Sequence, residues 1–140
     1  MKIAIGCDHG GIDLKKVVLP LLEELGHEVS DQGTHSTDSV DYPQFAASVC
    51  NMVSEETCDR GILICGTGIG MSMAANRNNT IRAALCHDIY TARMSREHNN
   101  ANILCLGARV IGPGLAEEVV RAWLATDFSE GRHLRRIEMF

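Results

Sequence analysis

The feature that most constrains the fold of this chain is a regular alternation of short aliphatic runs with longer helix-like stretches. The aliphatic runs lie at residues 2–7, 27–30, 61–65, 82–86 and 103–106. Nearly continuous apolar runs of this length are typical of strands buried on both faces, and strands separated by helices pair in parallel. The alternation therefore predicts a parallel sheet whose two faces are covered by helices.

The stretches between these runs carry helical signals. Apolar residues from Leu14 to Leu25 fall on one helical face, and Gly26 stands where a C-terminal glycine cap belongs. Further helices are expected at residues 45–53, 71–76, 88–97, where Asp88 is the N-cap, and 113–125. We therefore predict an α/β fold, a Rossmann-like three-layer αβα sandwich with a five-stranded parallel sheet.

Length and charge narrow the domain organisation and the range of partners. The chain has 140 residues, which fits one domain covering residues 1–140, and its formal net charge is -5. An acidic chain has no global basic field to hold nucleic acid. The first apolar stretch is too short for a signal peptide, and no segment approaches about 18 apolar residues. We expect a cytoplasmic protein with no nucleic-acid or membrane partner.

The cysteines indicate a reducing compartment and no structural metal. Six cysteines are scattered along the chain without a C-x-x-C pair. This spacing fits reduced thiols better than a disulfide framework or a zinc site. We therefore expect neither a metal nor a structural disulfide.

Residues 62–72, ILICGTGIGMS, combine a buried strand, a glycine-rich loop and the start of a helix. Glycines let backbone N–H groups approach a ligand closely, and the helix start offers unpaired N–H donors to an anion. A thiol at such a position is acidified, so Cys65 is a candidate nucleophile or base. The alternative is a buried strand-end cysteine above a structural turn. The G-x-G-x-G pattern after the third strand suits a small sugar phosphate better than a dinucleotide.

Polar residues follow two other predicted strands. Asp8 and His9 come after the first strand, and Arg109 follows the fifth. Because ligands of open parallel sheets bind beyond the carboxyl ends of the strands, we expect these side chains to join Cys65 in one site. Taken alone, Asp8 is equally well explained as a helix N-cap and His9 as a surface histidine.

The C-terminal segment, residues 130–140, is basic and is expected to be helical. Arg132 and Arg136 would then lie one turn apart on the same face, a spacing suited to gripping one phosphate. The alternative is a solvated tail that pairs with Glu130 and Glu138.

Five motifs together resemble the type B ribose-5-phosphate isomerases of the ribose/galactose isomerase family. They are GCDHGG at 6–11, DYPQFA at 41–46, ILICGTGIGMSMAANR at 62–77, SREHNNANIL at 95–104 and EGRHLRR at 130–136. The resemblance spans nearly the whole chain. It implies interconversion of D-ribose 5-phosphate and D-ribulose 5-phosphate without a metal or organic cofactor, by a homodimer or a dimer of dimers.

The resemblance also implies roles for individual residues. Cys65 is similar to the base that moves the proton between C1 and C2, Thr67 to a neighbour that assists proton transfer, and His98 to the group that opens the furanose ring. The implied substrate-binding residues are Gly66, Gly68, Ile69 and Gly70 of the anion hole, Asp8 at the sugar hydroxyls, His9, Arg132 and Arg136 at the phosphate, and Asn99, Arg109 and Tyr42 along the site.

Other functions stay open at this point. Allose 6-phosphate is a competing substrate, because the same family turns it over. A cysteine-dependent phosphatase would need the loop C-x5-R, which Met71 interrupts. A non-catalytic sugar-phosphate binding module would have no need of an acidified cysteine.

Topology predicts that the active site is shared between subunits. Cys65 follows the carboxyl end of the third strand, whereas His98 and Asn99 precede the fifth strand and so belong at the amino end. A strand of five residues is roughly 17 Å long, so a short loop does not reach across it. In a two-fold dimer the histidine would come from the partner. The alternative is a longer loop at 97–102 that folds back within one chain.

Overall fold

The computed structural model describes residues 1–140, along which strands and helices alternate. The strands are β1 (Lys2–Cys7), β2 (Glu28–Asp31), β3 (Arg60–Cys65), β4 (Ala83–Leu85) and β5 (Ile103–Gly107). The helices are α1 (Ile12–Glu24), α2 (Tyr42–Ser54), α3 (Ile69–Ala75), α4 (Ile89–Glu97), α5 (Pro113–Ala125) and α6 (Arg132–Ile137). A 3-10 turn at His9–Gly11, which the sequence analysis did not predict, leads into α1.

All five strands form one parallel sheet in the order β2-β1-β3-β5-β4. The predicted five-stranded parallel sheet is therefore confirmed. The chain runs from β1 outward to β2 and then returns to the other side of β1 to form β3. Such a reversal opens a crevice between the carboxyl ends of β1 and β3, which is where ligands bind in folds of this kind.

Alternate residues of each strand point to opposite faces and build two separate cores. On one face Ile62, Ile64 and Leu104 pack with α1 and α5, and Trp123 is fully buried there. On the other face Leu63 and Cys65 pack with α2 and α3. This period-two alternation gives the three-layer αβα sandwich that was predicted. None of the helices combines the length and the apolar character needed to cross a bilayer.

Local signals set the ends of the elements. Gly26 has φ +78°, and the N–H groups of Gly26 and His27 donate to the carbonyls of Glu23 and Leu22, which forms a Schellman cap on α1. This cap delays β2 by one residue relative to the prediction. Asp88 accepts from the backbone N–H of Thr91 at 2.8 Å, which confirms it as the N-cap of α4.

Candidate active site

Cys65 is the last residue of β3, and the glycine loop folds directly over its thiol. Gly68 has φ +75°, a left-handed conformation that glycine adopts without strain. In this conformation the backbone N–H of Gly68 donates to Sγ of Cys65 at 3.1 Å, and Cys65 is only 5% exposed. A negative charge on the sulfur therefore has a backbone donor already aimed at it.

The remaining thiols lie in the core. Burial raises the pKa of Cys7 and of Cys50 to about 11. Burial also raises the pKa of Cys58, Cys86 and Cys105. Thiols with a raised pKa are poor nucleophiles and bases at neutral pH. The cysteine at the end of β3 is therefore the candidate for chemistry.

Groups from three strand ends meet above Gly10. The point where a Gly10 side chain would begin lies 3.3 Å from Oδ1 of Asp8 and 3.4 Å from the nitrogen of Gly66. It lies 3.5 Å from Nη2 of Arg109, whose backbone N–H donates to the Gly66 carbonyl. Arg109 is therefore supplied by the same chain as Cys65.

Asp8 does act as an N-cap, since its Oδ1 accepts from the N–H of Gly10 at 2.9 Å. Its Oδ2 accepts no hydrogen bond from the protein. Asp8 is 8% exposed, and its Oδ2 is not fully buried, so this oxygen is free to accept a hydrogen bond from a polar ligand. The capping role and a substrate-binding role are thus compatible in one side chain.

His9, Tyr42 and Thr67 border the same loop. Nδ1 of His9 accepts from the backbone N–H of Val40 at 3.2 Å, which leaves Nε2 as the nitrogen that carries the proton and can donate to a ligand. The ring of Tyr42 lies over Gly70, where a side chain would meet it at 2.7 Å. Thr67 is exposed. We call the group at this end of the sheet the cysteine half-site: Asp8, His9, Tyr42, residues 65–70 and Arg109.

The other expected site residues gather around the end of α4 and the start of α6. The imidazole rings of His98 and His133 stack with their centroids 4.2 Å apart and an angle of 4° between their planes. The N–H of Ser129 donates to the Glu97 carbonyl at 3.0 Å, which ties the segment before α6 to the end of α4. We call this group the histidine half-site: His98, Asn99, Arg132 and Arg136.

The histidine half-site is rich in positive charge. Arg132 and Arg136 are exposed on α6, one turn apart. Desolvation lowers the pKa of His133, and the neighbouring His98 and the two arginines lower it further. The exposed arginines are therefore available to an anion rather than neutralised by Glu130 or Glu138, with which they form no ion pair.

The two half-sites lie at opposite ends of the sheet. Cys65 is level with Gly107 at the carboxyl ends of the strands, and Gly61 is level with Ile103 at the amino ends. Four residues of strand separate these levels, or roughly 13 Å. Because His98 precedes the amino end of β5, one chain does not bring its own histidine to its own cysteine. The alternative loop at 97–102 folding back to the cysteine is not what the structure shows.

Two clefts in the surface include residues of the half-sites. One, about 790 Å³, lies beside β4 and includes Asn99 and Arg82. The second, about 550 Å³, includes His9 and Arg109. Cys65 lines neither of these two clefts, whereas His9 and Arg109 of the cysteine half-site line the second. No group of three or more His, Cys, Asp or Glu side chains is arranged to hold a metal ion.

Two histidines near these groups, His87 and His133, carry no predicted role. His133 stacks on His98, and its position between the two arginines of the basic helix was the available signal. His87 lies two residues beyond Leu85, the last residue of β4, at the carboxyl end of the sheet. A polar residue at a strand end was the signal that applied to Asp8 and equally to His87.

A parallel α/β sheet with a cysteine in a glycine loop at its switch point defines an enzyme that acts on a small anionic substrate at the strand ends. The family model for Ribose/Galactose Isomerase matches residues 3–140. The chain belongs to this family.

Individual relatives cover nearly all of the chain. The solved structure of ribose-5-phosphate isomerase B from Clostridium thermocellum has a TM-score of 0.98 and 54% identity, covering 99% of this chain and 94% of that one. Ribose-5-phosphate isomerase B of Escherichia coli is 48% identical, with 98% of this chain and 92% of the relative covered. A D-erythrulose-4-phosphate isomerase of Pectobacterium atrosepticum is 44% identical, with 99% and 91% covered.

Proposed function

We propose that this chain interconverts D-ribose 5-phosphate and D-ribulose 5-phosphate in sites built from two subunits. Family membership and relatives named ribose-5-phosphate isomerase B at 48% and 54% identity support the activity. The observation that carries the mechanism is the Gly68 N–H on Sγ of Cys65 at 3.1 Å, in a loop where the N–H groups of residues 66, 67 and 70 make no hydrogen bond within the protein. Aldose–ketose isomerisation needs a base of this kind next to donors for the developing enediolate.

The chemical step uses Cys65 and its loop. The Cys65 thiolate removes the proton from C2 of the open-chain aldose, the electron pair forms the C1=C2 bond, and O1 takes the negative charge. The free backbone N–H groups of Gly66, Thr67 and Gly70 stabilise that charge. The exposed Thr67 hydroxyl assists transfer of the O2 proton to O1. The Cys65 thiol then returns its proton to C1, which yields the ketose.

The remaining residues bind and open the sugar. Oδ2 of Asp8, unpaired in the structure, accepts from a sugar hydroxyl. Nε2 of His9 donates to the phosphate from one side, and Arg132 and Arg136 grip it from the other, where their planar guanidinium groups offer several donors. His98 protonates the ring oxygen as the C1–O4 bond breaks, and the proton released by the C1 hydroxyl as it becomes the aldehyde restores the protonated histidine.

These assignments require a homodimer, or a dimer of dimers. The cysteine half-site lacks a ring-opening acid and the arginine pair, and the histidine half-site lacks a base. In a two-fold dimer the contact is self-complementary, so each histidine half-site covers the partner's cysteine half-site. Two identical active sites result from one symmetric contact.

The activity is tested by adding ribose 5-phosphate to the purified protein and following ketose formation with and without a chelator. We expect turnover in both, and none with Cys65→Ala. Cys58→Ala is the matched control, because Cys58 is buried in the core and away from the loop. We expect the Cys58→Ala variant to keep its isomerase activity. Turnover by Cys65→Ala would remove this cysteine from the role of base, and phosphate release without ketose would indicate a phosphatase.

A four-carbon substrate is the second candidate. The 44% identical relative is named a D-erythrulose-4-phosphate isomerase, so this fold and family accept a shorter sugar phosphate. Six-carbon allose 6-phosphate stays a further candidate. Comparing kcat/KM for sugar phosphates of four, five and six carbons decides between them. We expect the highest value for ribose 5-phosphate.

A further inference from the structure

His87 is a buried polar group that the mechanism above does not use. It lies just beyond β4, and its imidazole is half-buried. Its Nε2 is fully buried and has no hydrogen-bond partner. Leaving a buried donor or acceptor unpaired is unfavourable, so such an atom needs an explanation.

The explanation lies on the other side of Gly107, at the end of β5. The point where a Gly107 side chain would begin is 2.8 Å from Nε2 of His87 and 2.6 Å from the backbone oxygen of Thr67. No hydrogen bond in the protein ends on that oxygen. An unpaired nitrogen and an unpaired carbonyl oxygen therefore share the space that only a glycine at position 107 leaves open.

The Thr67 carbonyl belongs to the peptide that contacts the catalytic sulfur. In a trans peptide the C=O and the following N–H point in opposite directions within one plane. The Thr67 oxygen points towards Gly107, and the Gly68 N–H points to Sγ of Cys65 at 3.1 Å. A donor bound to the oxygen therefore fixes the direction of the N–H and polarises it.

We propose that His87 is a positioning residue: its Nε2–H donates to the Thr67 carbonyl and holds the Gly68 N–H on Sγ of Cys65. Catalytic hydrogen bonds are often long in a resting site and shorten in use. This inference rests on the proposed role of Cys65 as base, since His87 acts through that thiolate.

The first test compares His87→Leu, which keeps the bulk but removes the donor, with His87→Gln, whose side-chain amide places a donor near the position of Nε2. The probe is iodoacetamide, and the rate of Cys65 alkylation is followed against pH by peptide mass spectrometry. For His87→Leu we expect alkylation about threefold to tenfold slower at neutral pH, with the pH midpoint moved upward. We expect His87→Gln to stay close to wild type.

Turnover gives a second measure. For His87→Leu we expect kcat to fall by a similar factor while KM changes little, because His87 does not touch substrate. An alkylation profile of His87→Leu that matches wild type would overturn the proposal, and so would a His87→Gln variant as slow as His87→Leu. The rate of alkylation depends on the Cys65 thiolate and not on any substrate. It therefore tests the proposed role of His87 even if the proposed substrate is wrong.

A measurement on the unaltered protein avoids any loss of folding in the variants. Long-range 15N NMR of the imidazole reports which nitrogen of His87 carries the proton. The proposal requires the proton on Nε2. A neutral imidazole with its proton on Nδ1 would refute it.

Discussion

Gly68→Ala is the substitution through which the loop geometry is tested most sharply. Two independent penalties act at Gly68: its φ of +75° disfavours a side chain, and a Cβ would meet the structure around it. That Cβ would stand 2.5 Å from Cδ1 of Leu85, and 2.9 and 3.0 Å from the backbone C and O of Leu106. Because the Leu106 backbone is part of the central sheet, the loop must move instead.

The magnitude follows from adding these two penalties. A left-handed alanine costs about 1–2 kcal/mol, and overpacking against a rigid neighbour about 1–3 kcal/mol. We expect Gly68→Ala to lower the free energy of unfolding by about 2–5 kcal/mol. Displacing the N–H that stabilises a charge costs about 1.5–3 kcal/mol, so kcat should fall about tenfold to a hundredfold.

Two other glycines separate the contributions. Gly26 has φ +78° but nothing within 4 Å, so Gly26→Ala measures the backbone penalty alone, about 1–2 kcal/mol. Gly114 in α5 has no contact within 4 Å and no positive φ, so Gly114→Ala should be neutral or slightly stabilising. Urea unfolding at one fixed protein concentration and steady-state isomerase kinetics are the assays. The reasoning fails if Gly68→Ala costs no more stability than Gly26→Ala and keeps kcat within threefold of wild type.

Three further predictions concern a buried charge, the basic helix and pH. Asp31→Ala removes the carboxylate that lies 2.8 Å from the buried Nζ of Lys15 and leaves that ammonium only the Thr34 carbonyl. We expect the free energy of unfolding to fall by about 3 kcal/mol in urea unfolding, and an unchanged midpoint would contradict this. Arg136→Ala should raise KM and lower kcat for ribose 5-phosphate, whereas Arg135→Ala should do neither. Equal effects of the two substitutions would favour the alternative that this segment is a solvated tail without a role in phosphate binding. The lowered pKa of His133 means that its stack with His98 is stable above the ordinary histidine pKa and is lost as the pH falls below it. Protection of the Ser129 amide from hydrogen exchange should therefore fall on acidification. An unchanged protection factor would refute this prediction.

Much of the fold could be predicted from the sequence because each element had a local sequence signal of its own. The Schellman glycine at Gly26 and the N-cap Asp88 marked helix ends. The start of α2 lies at Tyr42 rather than at Phe45 as predicted, because Pro43 is accommodated in the first turn of the helix. The strand order could not be predicted, since the position of β5 between β3 and β4 depends on packing between distant segments.

The part of the site that lies at the strand ends could be predicted from the sequence. The positions of Asp8 and Arg109 beside the glycine loop follow from the rule that parallel strands end together. The cap role of Asp8 was predicted as an alternative to a site role, and the structure confirms the cap. The stack of His133 on His98 could not be predicted, because it depends on side-chain directions. His87 was missed because its significance arises from Gly107, whose missing side chain leaves room beside the Thr67 carbonyl.

The central claim is that each active site joins the cysteine half-site of one chain to the histidine half-site of another. Inactive Cys65→Ala and His98→Ala chains are mixed under conditions that allow subunit exchange. At equal mixing and random association half of the dimers are heterodimers, and each has one intact site, so roughly a quarter of wild-type activity should return.

The matched control mixes Cys65→Ala with Asp8→Ala, two changes in the same half-site. Every site of that heterodimer carries one defect, so no activity should appear above the average of the two parents. The account predicts recovery in the first mixture and none in the control. No recovery in the first mixture, with exchange demonstrated by native mass spectrometry, would contradict it and show that each site is built from a single chain.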